Sequence, residues 1–168
     1  MTLIILHQRA RGYFWHKCNF SPMIFSKSFG YTIRGILFIS FMQKQKQFVQ
    51  VEEIASALSV PRHFMGKILK KLAKEKILSS SKGPAGGFTI NQNTLQVKLL
   101  DIVKLTDGSL SLGNCVLRLQ QCSAAKPCPM HHKIEDLRKG LGAVLSETSI
   151  ADLLNTNQSH MLESLTYG

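Results

Sequence analysis

Residues 51–90 read VEEIASALSVPRHFMGKILKKLAKEKILSSSKGPAGGFTI, and this stretch decides the fold. Val51, Ile54, Ala55 and Leu58 recur at helical spacing, with Glu52 and Glu53 suited to the positive N-terminal end of a helix over 51–58. Ser59, Val60 and Pro61 make a short turn, and Pro61 fits a first helical position. A second helix then runs to about residue 76. Phe64, Met65, Ile68, Leu69 and Leu72 form its apolar face, and Lys67, Lys70, Lys71 and Lys74 form a basic stripe roughly opposite. Two short helices joined by a tight turn, the second basic on its free face, make a helix-turn-helix. A plain amphipathic hairpin fits the helix pattern equally well, and the following residues separate the two. Residues 77–81 read as a strand, 82–87 as a glycine-rich turn and 88–90 as a returning strand. A two-stranded ribbon after a basic helix is a wing. Lys82 at its glycine-rich tip suits approach to a narrow minor groove.

Outward from this unit, residues 26–42 carry Phe29, Ile33, Ile36 and Leu37 at helical spacing, with Ser26 as N-cap and a polar run at 43–47 as the stop. A short helix is expected over 99–106, ended by Asp107, Gly108 and Ser109. A loop over 113–129 carries three cysteines, and a last helix follows over 129–147. There Ile134, Leu137, Leu141 and Val144 step by three, four and three, the spacing of a coiled-coil seam. Such a seam is buried against a twin helix in a two-fold dimer, or against the chain's own domain. The expected fold is mainly α, a winged helix-turn-helix with a two-stranded wing and a long C-terminal dimerisation helix. Its divisions are an extension at 1–22, a winged domain at 23–112, a cysteine loop at 113–128, a dimerisation helix and following segment at 129–154, and a disordered tail at 155–168. The extension lacks sustained periodicity, and Cys18 within it reads as a thiol without a role.

The formal net charge of +11 points to a polyanionic partner. Residues 26–90 hold eleven Lys/Arg against Glu52, Glu53 and Glu75, a net +8, whereas residues 91–168 hold seven charges of each sign. The polyanion should therefore meet the helix-turn-helix and wing. The most apolar run, residues 33–42, is interrupted by Arg34, Gly35 and Ser40 and is too short to span a bilayer. Residues 1–6 lack the basic flank of a signal peptide, so a cytoplasmic location with no membrane partner is expected. No phosphate-cradling glycine loop, nucleophile elbow or carboxylate pair suggests an enzyme.

In a reducing compartment the cysteines favour metal or redox chemistry over disulfides. Six residues separate Cys115 from Cys122, five separate Cys122 from Cys128, and two separate Cys128 from His131. Three thiolates and an imidazole can converge on an ion or a cluster. Zinc is disfavoured by the missing tight cysteine knuckle, and metal-free reactive thiols stay open. Cys128 is expected as the N-cap of the last helix, where the positive helix end favours a thiolate. One alternative reading is a metal-free, thiol-redox DNA-binding repressor. Another is an iron–sulfur electron-transfer or carrier protein whose basic face docks an acidic partner.

Four segments carry a resemblance: Met23 to Ser28 with Tyr31; Glu53-Ile54-Ala55; Pro61 to Leu69; and Lys82 to Phe88. Together with the cysteine loop they resemble the Rrf-type winged-helix transcription regulators, IscR- and NsrR-like iron–sulfur sensors among them, over about residues 23–154. The resemblance implies a homodimer crossed by the C-terminal helix and bound to a double-stranded DNA operator. Arg62, His63, Lys67 and Lys70 would then face the major groove, and Lys82, Gly83 and Gly86 would belong to the wing contact. It also implies an iron–sulfur cluster on Cys115, Cys122, Cys128 and His131 whose state controls operator affinity, as in a repressor sensing iron, redox state or nitric oxide. An aspartate that completes the cluster in nitric-oxide sensors falls on Gly30 here, which favours completion by histidine and [2Fe–2S] over [4Fe–4S]. Two positions depart from the family pattern. Lys82 stands where arginine is common, which weakens shape readout of the minor groove, and Ala85 stands where glycine is usual.

Overall fold

The computed structural model describes residues 25–108 and 123–155. Its elements in chain order are α1 (Lys27–Met42), α2 (Val51–Ala57), α3 (Arg62–Lys74), β1 (Leu78–Ser81), β2 (Gly87–Ile90), α4 (Gln92–Gln96), α5 (Leu99–Asp107), α6 (His131–Glu147) and α7 (Ile150–Asn155). This is the expected winged helix-turn-helix, mainly helical with one two-stranded antiparallel sheet. Among the described residues no helix is long and apolar enough to cross a membrane.

Both helices of the helix-turn-helix stop by the same device. After α2, Val60 N–H reaches the Ala55 carbonyl at 2.9 Å and Ser59 N–H reaches Ser56 at 3.2 Å. After α3, Ile77 N–H reaches Leu72 at 2.9 Å and Lys76 N–H reaches Ala73 at 3.1 Å. Each is a Schellman closure, and each places a non-glycine residue in the left-handed region, Ser59 at φ 52° and Lys76 at φ 57°. The hydrophobic residues just beyond, Val60 and Ile77, are buried and pin the exits to the core.

The wing is anchored at its base. Leu78 pairs with Ile90 and Ser81 with Gly87. Val49 and Phe88 exchange backbone hydrogen bonds, both at 2.9 Å, so the segment before α2 lies along the returning strand. A Cβ on Gly87 would stand 2.4 Å from the Val49 carbonyl oxygen, and only glycine permits that approach. The Gln43 side-chain amide closes the sheet end, accepting from Ile90 N–H at 2.9 Å.

One apolar core joins α1, α2, α3, α5 and the sheet. Ile36, Ile39, Ile54, Leu58, Met65, Leu69 and Leu72 are almost fully buried within it, as is Ile102 from α5.

Two boundaries, two short helices and the burial of the last helix differ from the sequence reading. Pro61 is the N-cap of α3 rather than its first helical residue. The last long helix begins at His131 with Met130 as cap, so Cys128 lies outside it and is not its N-cap. Two short helices, α4 and α7, were not expected. Both announce themselves by reciprocal caps, Asn91 with Thr94 and Ser149 with Asp152. The expected seam also divides: Ile134 and Leu141 are half-buried, whereas Leu137 is 61% and Val144 56% exposed. The expectations for residues 1–22, for Cys18 and for the tail beyond 155 fall outside the described residues.

Candidate nucleic-acid interface and cysteine site

Helix α3 presents Arg62, His63, Lys67, Lys70, Lys71 and Lys74 outward, because Met65, Leu69 and Leu72 occupy the core. Arg62 is ion-paired with Glu52 at the start of α2. The helix-end backbone N–H at Glu52, followed by Arg62, holds that carboxyl below its usual range. Lys71 lies along the surface and donates to the Leu105 carbonyl at 2.6 Å. Lys67, Lys70 and Lys74 make no ion pair with a described carboxylate.

Between α3 and the wing lies an open cleft of about 800 Å³, with Lys70, Lys74, Lys82 and Gly83 on its walls. The Gln50 side chain ties the wing tip down by donating to the Pro84 carbonyl at 2.7 Å. Lys82 and Gly83 are exposed, and Gly83 has φ 107°. Gly86 is different. It is buried, and a Cβ there would meet the Ser81 carbonyl oxygen at 2.3 Å. The turn itself therefore requires glycine at this position.

The cysteine site is seen in half. Cys115 and Cys122 lie outside the described residues. Cys128 is a half-buried thiol free of any disulfide. The Cys128 carbonyl accepts from His131 N–H at 2.9 Å, so one turn brings the two residues together. The His131 side chain is 18% exposed, with Nε2 3.8 Å from Glu135, whereas that of His132 is 74% exposed. Lys139, 2.9 Å from Glu135, holds the Glu135 carboxyl low, with smaller help from the two histidines. Among the described residues no three Cys, His, Asp or Glu side chains converge on a metal position. A thiol and an imidazole joined through one backbone turn are donor types that suit a thiolate-ligated metal or cluster.

The sequence reading missed the contacts that hold the leading end of the cysteine loop. Asp107, last residue of α5, accepts from Ser26 N–H at 2.7 Å and from the Ser26 hydroxyl, which itself caps α1. No local pattern links residues 81 positions apart. Partial burial pushes the Asp107 carboxyl up, but the Ser26 hydrogen bonds outweigh it and leave the group below the usual aspartate range. Its stabilising contribution is therefore present at neutral pH and is lost as pH falls through that lowered value. Asp107→Ala should cost about 1 kcal/mol at pH 7, screened by solvent. Thermal melts across pH should show the gap closing below the ordinary aspartate value of about 3.9. A gap that is independent of pH would contradict the carboxylate's role.

A helix-turn-helix with a free basic recognition helix and a wing tied beside it defines a winged-helix DNA-binding protein. Residues 25–156 match the family model Rrf2, described as an iron-dependent transcriptional regulator, and the chain belongs to that family. An HTH-type transcriptional regulator of Aquifex aeolicus is 32% identical over 141 residues, covering 83% of this chain and 96% of its own. The regulator NsrR of Geobacillus kaustophilus is 24% identical over 130 residues, covering 77% and 88%. Among solved structures, CymR, the global cysteine regulator of B. subtilis, superposes with a TM-score of 0.63 at 19% identity, covering 79% of this chain and 97% of that one. T. potens IscR superposes with a TM-score of 0.57 at 20% identity, covering 81% and 93%. The protein is a transcription regulator of a DNA-binding, non-enzymatic family.

Proposed function

We propose that the protein is a cytosolic homodimeric repressor whose operator affinity is set by an iron–sulfur cluster, [2Fe–2S] in preference to [4Fe–4S]. Cys115, Cys122, Cys128 and His131 would hold the cluster, and Arg62, His63, Lys67, Lys70, Lys82 and Gly83 would meet the DNA. The observation that carries the reading is the anchorage of the cysteine loop. The loop leaves α5, whose last turn is bonded to the N-cap of α1 through Asp107 and to recognition helix α3 through Lys71. It rejoins the fold at Cys128 and α6, which packs on α5. A bound cluster would supply a redox-sensitive crosslink across that loop. Tightening or freeing the loop shifts α5, and with it the helix that reads DNA. A tenfold change in occupancy needs only about 1.4 kcal/mol between the two states.

Met130, Leu137 and Val144 lie seven residues apart and are all exposed apolar positions on or beside α6. They form the dimer seam in this reading, while Ile134, Leu141 and Leu145 serve the chain's own domain. Light scattering should report twice 18.8 kDa for the native chain and a monomer for Leu137→Asp. A monomeric native chain would refute the seam.

The ligand set is tested by the two adjacent histidines. His131, the more enclosed, is the ligand, and Glu135 beside it is placed to orient the ring. His131→Ala should give a labile cluster with an altered visible spectrum, and His132→Ala a nearly native one. The reverse pattern would move the assignment to His132.

A further inference from the structure

The tip of the wing, residues 82–86, lies beyond the last pair of the sheet, Ser81 with Gly87. Inside the tip one backbone bond closes the turn, from Gly86 N–H to the Gly83 carbonyl at 2.9 Å. Among the described residues one side-chain bond joins the tip to the rest of the fold, the donation from Gln50 Nε2 to the Pro84 carbonyl at 2.7 Å. The chain at Gln50 is held firmly. Val49 beside it is fully buried and exchanges two backbone hydrogen bonds with Phe88. Gln50 is also the N-cap of α2, yet its side chain makes no cap bond. N-cap positions favour Ser, Thr, Asp or Asn, whose short side chains accept from the first helical N–H groups. A glutamine there forgoes that stabilisation, and its longer side chain reaches Pro84 instead. The needs of α2 do not account for this residue; the wing does.

We infer that Gln50 is a positioning residue for DNA binding, a strut that fixes the wing tip relative to recognition helix α3. This role rests on the proposed docking of α3 in the major groove and of the wing in the minor groove. Gln50, Lys82, Gly83 and Pro84 line one cleft together with Lys70 and Lys74 of α3. Helix α2, which carries the strut, packs on α3, so the two walls of the cleft are joined through it. With the strut in place the tip meets the minor groove already ordered, and Lys82 is presented at one spacing from α3. Without it the DNA must order the tip, which lowers affinity, and the tip can follow grooves of differing width, which lowers discrimination.

The variant Gln50→Ser separates this role from a structural one. Serine caps α2, so Tm should hold or rise while the strut is lost. Gln50→Asn, which carries the same amide on a side chain one methylene shorter, should behave alike. In amide relaxation NMR of the DNA-free full chain, the order parameters of Gly83 and Gly86 should fall from about 0.85 to below about 0.6 in both variants. The DNA arm uses duplexes that the native chain selects from a random-sequence pool. Gln50→Ser should bind them about fivefold more weakly. A pool selected with Gln50→Ser should keep the bases read by α3 and lose preference in the flank beside them. In a Lys82→Ala background Gln50→Ser should cost almost nothing further, because the strut acts through the tip. The strut is refuted if the tip amides of Gln50→Ser stay as ordered as those of the native chain. It is equally refuted if the losses from Gln50→Ser and Lys82→Ala add in full, which would make Gln50 a direct DNA contact. A native chain that selects no duplex would refute the DNA reading instead, and the relaxation measurement would still decide the strut.

Discussion

Raising salt should release the protein from its operator steeply, because the partner is a phosphate backbone and the positive charge is concentrated on the proposed docking face. Residues 26–90 carry a net +8, and α3 with the wing displays the unpaired part of it. A dimer making about 6–10 phosphate contacts loses roughly 10³–10⁵ in affinity between about 50 and 200 mM salt. Lys67→Ala and Lys82→Ala should each weaken binding and flatten that slope without changing the melting temperature, since both side chains are exposed. Arg62 should behave differently. It must leave Glu52 to reach DNA, so Glu52→Gln should tighten binding modestly by freeing the guanidinium and removing a like-charged neighbour of the phosphates. Fluorescence anisotropy over a salt series reads all four proteins. Native affinity in both lysine variants would refute the docking face.

The second large effect is on the cluster. Each of Cys115→Ala, Cys122→Ala and Cys128→Ala should remove the visible absorption, the iron and the acid-labile sulfide together, because a missing thiolate leaves an iron without its ligand. The same variants should keep the winged domain folded. Its core is built from residues such as Ile36, Ile54, Leu69 and Ile102, none of them in the loop. Loss of the far-ultraviolet helical signal along with the cluster would mean that the loop is part of the fold and not a sensor attached to it.

Much of this architecture is written in local patterns. Alternation of Ile54, Ala55 and Leu58, then of Met65, Leu69 and Leu72, gives helices whose apolar faces must meet, and Ser59 marks the turn. The glycines at 86 and 87 mark the wing, and close backbone approach to Ser81 and Val49 requires glycine at both. The last helix is legible only in part. Its seam residues carry the right spacing for a dimer, yet spacing cannot say which of Ile134, Leu137, Leu141 and Val144 the chain's own α5 will cover. The sequence puts its start at residue 129, whereas the chain turns once more and caps at Met130. The Ser26–Asp107 and Lys71–Leu105 contacts have no sequence signature, since they exist only after α1, α3 and α5 are packed. In the proposed function these are the contacts that couple the cysteine loop to recognition helix α3.

The proposed function requires a cluster that changes DNA affinity. The most direct measurement is the affinity of anaerobically purified full-length protein for one operator fragment, before and after chelation removes iron, at fixed salt. A coloured protein containing iron and sulfide, with affinity shifting at least about tenfold on cluster loss, is the predicted result. Protein that binds the same DNA equally well with and without iron, or that never acquires iron and sulfide, would contradict it.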